Sequence, residues 1–305
     1  MKIGPPMETR LLTAQDGHQI EVLTWVNPEA KAWVHLLHGM SEHASRYDEF
    51  AQHLVKAGYA VIAHNHRGHG SSPTTQIGLY AEQDGWQKVL GDIDLVRNTI
   101  PDGQAYFMFA HSMGSFIAQS YLSQKPKHID GLILSGSNIQ PSALLKAGRM
   151  VAKLERLRKD KMETSALLQF LSFGSFNNAF KPVRTDFDWL SRDEKHVDQY
   201  INDPLCGFDC RIQLWIDMFS GLIDLYGNKT YKDIQKNLPI LLFGGDKDPV
   251  GEMGKGVPKL ARAYEASGQA KVSHKLYKDG RHEMINESNR EQVYQDVTTW
   301  LDKHV

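Results

Sequence analysis

Along this chain, short uninterrupted apolar runs alternate with longer stretches in which apolar side chains return every third or fourth residue. The first pattern suits strands buried on both faces, the second helices packed on one side. Ala32 to Leu37, Tyr59 to Ala63, Ala105 to Phe109, Gly131 to Ser135, Ile240 to Phe243 and Val272 to Tyr277 read as strands. Arg46 to Ala57, Trp86 to Ile100, Ser115 to Gln124, Val257 to Ala266 and Arg290 to His304 read as helices. Leu11 to Val26, folded about the turn dipeptide Asp16-Gly17, reads as two antiparallel strands. Strand and helix in strict alternation imply an α/β fold with a mostly parallel, doubly wound sheet.

The alternation stops near Ile139 and resumes at Pro239. This predicts three segments: a first part of the core over 1–140, a helical insertion over 141–236 lying across the carboxyl edge of the sheet, and a second part of the core over 237–305. Within the insertion, Leu144, Ala147, Val151 and Leu154 recur at helical spacing, and Leu167 to Phe180 is rich in leucine and phenylalanine. Between Lys146 and Lys161 stand seven basic residues against Glu155 and Asp160. A solvated helix face accounts for them; attraction to anionic lipid surfaces is the sharper reading.

Composition narrows the function classes. With 35 basic against 36 acidic residues the net charge is -1, so the clustered basic surplus that nucleic-acid binding needs is not in view. A 41% hydrophobic content over 305 residues supports a large core. Met1 to Arg10 offers no apolar signal core, and no stretch of about 18 apolar residues occurs, so a soluble, cytoplasmic protein is expected. Oligomeric state leaves no trace in the sequence. Cys206 and Cys210 are too few for a disulfide framework and lack the second pair of a structural zinc site; two free thiols and no metal or other cofactor are expected.

The candidate chemistry centres on Ala110-His111-Ser112-Met113-Gly114, set between a buried strand and a helix. A serine on so sharp a strand-to-helix turn is lifted clear of the sheet, with the Met113 amide and the helix N-terminus aimed at any oxyanion forming before it. A serine hydroxyl needs a base and an acid that orients the base. His282 follows the last strand, and Asp246 and Asp248 follow the strand before it, which is the order serine, acid, histidine. Of the two acids we choose Asp248. His38-Gly39-Met40 closes the strand Ala32 to Leu37, and its glycine lets the Met40 amide become a second oxyanion donor.

These motifs resemble a known family. His38-Gly39-Met40-Ser41-Glu42-His43, Arg46-Tyr47, Asn65-His66-Arg67-Gly68-His69-Gly70-Ser71-Ser72, Ala110 through Gly114, Asn202-Asp203-Pro204-Leu205-Cys206, the Gly245-x-x-Asp248 loop and the His282 loop look like the monoacylglycerol lipases and lysophospholipases of the α/β-hydrolase superfamily, the serine aminopeptidase S33-type hydrolases. The likeness spans nearly the whole chain, loosely in the insertion. It implies an α/β-hydrolase fold with a helical cap, Ser112 as nucleophile with Asp248 and His282, oxyanion amides at Met40 and Met113, and no cofactor. By the same likeness, Glu42, Arg46 and His111 lie near the pocket and shape or wet its leaving-group side, a local salt bridge and a supporting histidine accounting for them at least as well as direct substrate contact, and the substrate is a small ester or lipid.

The chain departs from the family twice. Ala110 stands where the elbow usually begins with glycine, and Ser115 replaces a second glycine after the nucleophile, an exchange expected to loosen or rehydrate the turn; both departures bear on pocket shape and acyl-chain preference and remove no catalytic atom. Three other readings compete. His64-x-His66-x-x-His69 evokes a metal-dependent hydrolase, but Gly68 occupies the place of its aspartate. A non-catalytic binding module on the same scaffold is a second. An aminopeptidase, amidase or short-chain carboxylesterase with the same three residues is the third.

Overall fold

The structure, a computed structural model, describes residues 6–124, 126–227 and 234–305. An eight-stranded sheet runs in the order β1-β2-β4-β3-β5-β6-β7-β8, with strands β1 (Glu8–Thr13), β2 (Gln19–Trp25), β3 (Trp33–Leu37), β4 (Ala60–His64), β5 (Tyr106–His111), β6 (Gly131–Ser135), β7 (Ile240–Gly245) and β8 (Val272–Tyr277). Only the pairs β1/β2 and β2/β4 are antiparallel; every other pairing is parallel. This is the α/β-hydrolase order of elements that the alternation predicts.

The continuous apolar runs have a direct cause. Along β5 to β7, Met108, Ala110, Leu132, Leu134, Ile240 and Leu242 point to one face, and Phe107, Phe109, Ile133, Leu241 and Phe243 to the other. Helices α2 (Gly85–Arg97), α3 (Met113–Ser123) and α8 (Gly256–Ala266) cover the first face. The second is closed by α1 (Asp48–Lys56) through Phe50, Ala51 and Leu54, and by α9 (Arg290–Asp302) through Val293, Tyr294 and Val297. With both faces dry, no position along these strands is left for the polar half of an alternating pattern.

Between β6 and β7 run α4 (Ser142–Arg158), α5 (Ala166–Phe173), α6 (Glu194–Asn202) and α7 (Ile212–Gly227). Helix α7 packs on α4, and on α2 and α3 of the core. The expected apolar stripe of α4 is not the one that is buried. Leu144 and Leu154 are 60% and 55% exposed, while Leu145, Ala152 and Glu155 face inward. Gly148 lies against the ring of Phe219 on α7, which fixes that inner face. Met150 and Leu157 add to the apolar surface left outside, at 65% and 84% exposure. Among the described residues no helix is long and apolar enough to cross a membrane.

A group of fully buried histidines lies beside the strand ends. His35 Nε2 meets His64 Nδ1 at 2.9 Å, and His35 Nδ1 meets the Tyr106 hydroxyl at 2.6 Å. His38 Nε2 accepts the His66 amide, so its proton sits on Nδ1, facing the Gly39 carbonyl at 2.7 Å. Burial holds His35, His38, His64, His66, His69 and His111 below the ordinary histidine value, His64 and His111 to about 3 and His69 to about 4. In the unfolded chain the same groups titrate near 6.5. Below that pH the unfolded chain therefore binds more protons than the folded one, and stability falls as pH falls, by up to about 1.4 kcal/mol per pH unit for each histidine. Urea midpoints measured from pH 7.5 to 5 should drop steadily below pH 6.5; a flat profile over that range would contradict the neutral, buried state of these side chains.

Candidate active site

Strand β5 continues through Ala110 and His111 and hands over to α3 at Met113, so Ser112 alone forms the turn, with φ 50° and ψ −120°. A left-handed φ is costly for a residue with a Cβ, and it persists only where the surroundings dictate it. Here they do. A Cβ on Gly114 would lie 2.4 Å from the Leu37 carbonyl oxygen and 2.5 Å from that of His38, so α3 sits against the end of β3 at a distance only glycine allows. Ser115 does not loosen this turn. It is fully buried, its hydroxyl donates to the Ser112 carbonyl at 2.6 Å, and its oxygen lies 2.8 Å from the Ser137 hydroxyl. Ala110 is likewise accommodated with no exposure.

The structure brings Ser112, His282 and Asp248 together. His282 Nε2 lies 2.9 Å from Ser112 Oγ, and His282 Nδ1 lies 3.0 Å from Asp248 Oδ1. The same aspartate oxygen accepts the Val250 amide at 2.8 Å, and Asp248 is fully buried. Asp246 is engaged elsewhere, accepting the Asp279 amide at 2.8 Å. Burial alone would depress His282, but the Asp248 carboxylate, with Glu283 and Glu42 beyond it, outweighs burial and holds the imidazole above 6.5. Met113 occupies the first turn of α3, where amides have no intrahelical acceptor, and Met40, on the turn after β3, lines the cavity beside Ser112 and His282.

Ser112, His282 and Met40 open onto a cavity of about 460 Å³. Phe170, Phe173, Phe187, Trp189, Phe208 and Val250 supply its apolar walls, and among the described residues its charged lining consists of Glu42, Asp186, Asp209 and Glu283, with no lysine or arginine. Glu42 and His111 line it, His111 with its ring 4.7 Å from that of His282 and its Nδ1 3.2 Å from Ser135 Oγ. Arg46 does not line it. Its guanidinium lies behind the wall, over the Tyr200 ring and bonded to Glu42 and Glu283. Sequence reading passed over Glu283, which in a polar loop carries no signal apart from its place beside His282.

For metals, the described residues bring His43, Asp203 and Cys206 within 4.8 Å of one another, a grouping the sequence reading did not anticipate. His43 Nε2 and Asp203 Oδ2 are 2.8 Å apart and already hydrogen-bonded, and burial pushes the Cys206 thiol far above its usual range. His64, His66 and His69 are not part of that group. Gly68, where the metal reading wants an aspartate, has φ +78°, and a Cβ there would lie 2.7 Å from the Leu79 backbone. Cys206 and Cys210 are free thiols.

The family model described as serine aminopeptidase, S33 matches residues 28–289. The chain is 28% identical to a monoglyceride lipase of Rattus norvegicus over 96% of this chain and 90% of that one. It is 27% identical to a monoacylglycerol lipase of Mycolicibacterium smegmatis over 95% of each. Its fold superposes on a thermostable carboxyl esterase from Bacillus coagulans, solved in complex with glycerol, with a TM-score of 0.87 at 24% identity over 98% of both chains.

The hydroxyl of Ser115 gives this site a direct test. Ser115→Ala removes the hydrogen bond to the Ser112 carbonyl and should lower the unfolding free energy by about 1 kcal/mol. Urea unfolding at neutral pH measures it, and a variant as stable as the parent would show that the bond does not hold the turn.

Proposed function

The chain belongs to the serine aminopeptidase S33 family of α/β-hydrolases and is a hydrolase, and from that premise we propose that it cleaves carboxylic esters of lipid-like substrates, of the monoacylglycerol class, through Ser112, His282 and Asp248. The observation that carries this reading is the unbroken relay from Asp248 Oδ1 through His282 to Ser112 Oγ, at 3.0 and 2.9 Å, on the floor of an apolar cavity. His282 Nε2 takes the Ser112 proton as Oγ attacks the ester carbonyl. The amides of Met40 and Met113 hold the oxyanion, and His282 returns the proton to the departing alcohol. Water, deprotonated by the same imidazole, then releases the acid and restores the serine. Asp248 keeps the ring in the productive tautomer and stabilises the imidazolium.

The described part of 141–236 acts in this reading as a cap, whose α5 supplies Phe170 and Phe173 as walls for an acyl chain in the cavity that Ser112 lines. The charged lining bears on the leaving group. Among the described residues it holds four carboxylates, Glu42 and Glu283 sharing the Arg46 guanidinium behind them and Asp186 and Asp209 exposed, and no basic side chain; this disfavours an anionic phosphate and suits an uncharged polyol such as glycerol, so monoacylglycerols rank above lysophospholipids. A second reading draws on the same carboxylates: they could hold the free ammonium of an aminoacyl amide, the substrate of an aminopeptidase.

Rates over monoacylglycerols, lysophospholipids, p-nitrophenyl esters of graded chain length and aminoacyl p-nitroanilides separate these readings. Monoacylglycerols and medium-chain esters should turn over fastest, and faster anilide hydrolysis would favour the aminopeptidase. Ser112→Ala should reduce ester turnover by on the order of 10⁶-fold while leaving the protein folded, and should abolish labelling by a fluorophosphonate. Wild-type rates in that variant would refute the assignment. Activity should survive EDTA.

The outer face of α4 offers Lys146, Arg149, Lys153 and Arg156 beside exposed Met150, Leu154 and Leu157, a surface suited to the interface where lipid esters reside. Co-flotation with vesicles should rise with anionic lipid content and fall as salt is raised. Flotation indifferent to both would dismiss this contact.

A further inference from the structure

Behind His282 lies a set of buried charges that the acyl-transfer steps do not use. Arg46 donates to both oxygens of Glu283 at 2.7 Å, and its Nη1 also reaches Glu42 Oε2 at 2.5 Å. Glu42 Oε1 accepts the Gly39 amide at 2.5 Å and the Tyr47 hydroxyl at 3.0 Å, and Glu283 Oε2 accepts from Asn286 Nδ2 at 2.9 Å. The side chains of Arg46, Glu42 and Glu283 are 10%, 3% and 5% exposed. Burial pushes the Glu42 carboxyl up, whereas Arg46 overcomes burial at Glu283 and brings it down to about 2.

A buried ion triad is poor value as a stabiliser, since desolvating three charges offsets most of their attraction. Its two ends indicate another use. Glu42 is bonded to the amide immediately before Met40, and Glu283 is the chain neighbour of His282. Among the described residues, the turn at 38–40 and the loop at 280–286 share no backbone hydrogen bond; the loop's amides at His282 and Glu283 go to Trp189 and Leu190 instead. Arg46 is therefore the tie between the segment that presents an oxyanion donor and the segment that presents the base.

We propose that Glu283 is a positioning residue which, through Arg46 and Glu42, holds His282 and the oxyanion turn in one register and stabilises the imidazolium that forms when Ser112 loses its proton; this rests on the ester-hydrolase reading of Ser112. His282 is faced by Asp248 and Ser112 at its two nitrogens and by the His111 ring at 4.7 Å and the Trp189 ring at 5.1 Å, with the charges of Glu283 and Glu42 also acting on it. The groups that raise it are acidic, Asp248, Glu283 and Glu42, and the cation that opposes them is Arg46, bonded to the last two. Their sum favours the protonated ring, so neutral, active His282 is reached only as pH rises through a value above 6.5.

The test is the pH profile of kcat and KM for a soluble p-nitrophenyl ester in the wild type, Glu283→Gln, Glu42→Gln, the double variant and Ser112→Ala. Glu283→Gln should lower kcat at least about 10-fold with KM changed less than about 3-fold, because misplacement of catalytic groups by a fraction of an ångström is that costly. Its acid limb should move to lower pH. Glu42→Gln should do the same, and the double variant should lose less than the product of the single losses, since the two act through one guanidinium. Single variants with kcat within twofold and unshifted limbs overturn the proposal, as does a kcat loss with an unmoved limb and multiplicative effects, which marks a merely structural ion pair. Should Glu283→Gln not fold by circular dichroism, Glu42→Gln carries the same readout. A wild-type acid limb at or below pH 6.5 overturns the proposal whatever the variants do. An active Ser112→Ala would remove the underlying reading itself, an outcome distinct from all of these.

Discussion

The approach of α3 to the end of β3 is the constraint on which the site is built. Gly114 brings the helix so close to the Leu37 and His38 carbonyls that no other residue fits, and the chain can reach this position only by turning through the left-handed conformation of Ser112. That contact fixes three things together: the direction of the serine hydroxyl, the placement of the Met113 amide at a helix N-terminus, and the separation between that amide and the turn carrying Met40. The sheet supplies the energy that keeps such a turn from relaxing. Its central strands are dry on both faces, so a shift of β5 along β3 would misplace phenylalanines on one side and the Met108 and Ala110 contacts on the other.

The residues joined at the site come from loops after β3, β5, β7 and β8, which is why they are far apart in sequence and close in space. Parallel strands deliver their carboxyl ends to one edge, and each loop there contributes one or two groups. The segment between β6 and β7 completes the enclosure by bringing phenylalanines from α5 and a tryptophan at 189 over the same edge. Trp189 also touches the His282 ring and takes the His282 amide on its carbonyl, so the wall of the cavity and the base move as one body.

Much of this was legible in the chain because burial on two faces leaves an unmistakable mark: β6 and β8 fall on the residues that their apolar or alternating runs indicate, and the other core elements begin or end within a few residues of the expected place. Ser112, Asp248 and His282 could be picked out because each sits just past a strand end. The rest was illegible for identifiable reasons. On α4 the sequence offers more than one stripe of small and apolar residues, and which is buried depends on Phe219 of a distant helix. Ser115 reads as a weakened turn until its hydroxyl is seen to close on the Ser112 carbonyl. Glu283 looks like a solvated acid in a polar loop, and only the Arg46 guanidinium, more than two hundred positions earlier, makes it an interior one.

The acidic lining of the cavity has a further consequence, for the direction of the reaction rather than its choice of substrate. Ester cleavage turns a neutral substrate into a carboxylic acid that ionises at neutral pH. On the proposed function, that new anion is generated among Glu42, Glu283, Asp186 and Asp209, with the Arg46 guanidinium already spent on two of them. Like-charge repulsion then bears on the ionised product and not on the neutral substrate, most strongly from the buried Glu42 and Glu283, since Asp186 and Asp209 are exposed and screened by water. It drives the acid out, weakens product inhibition, and withholds the ionised acid from the serine that would otherwise re-esterify it.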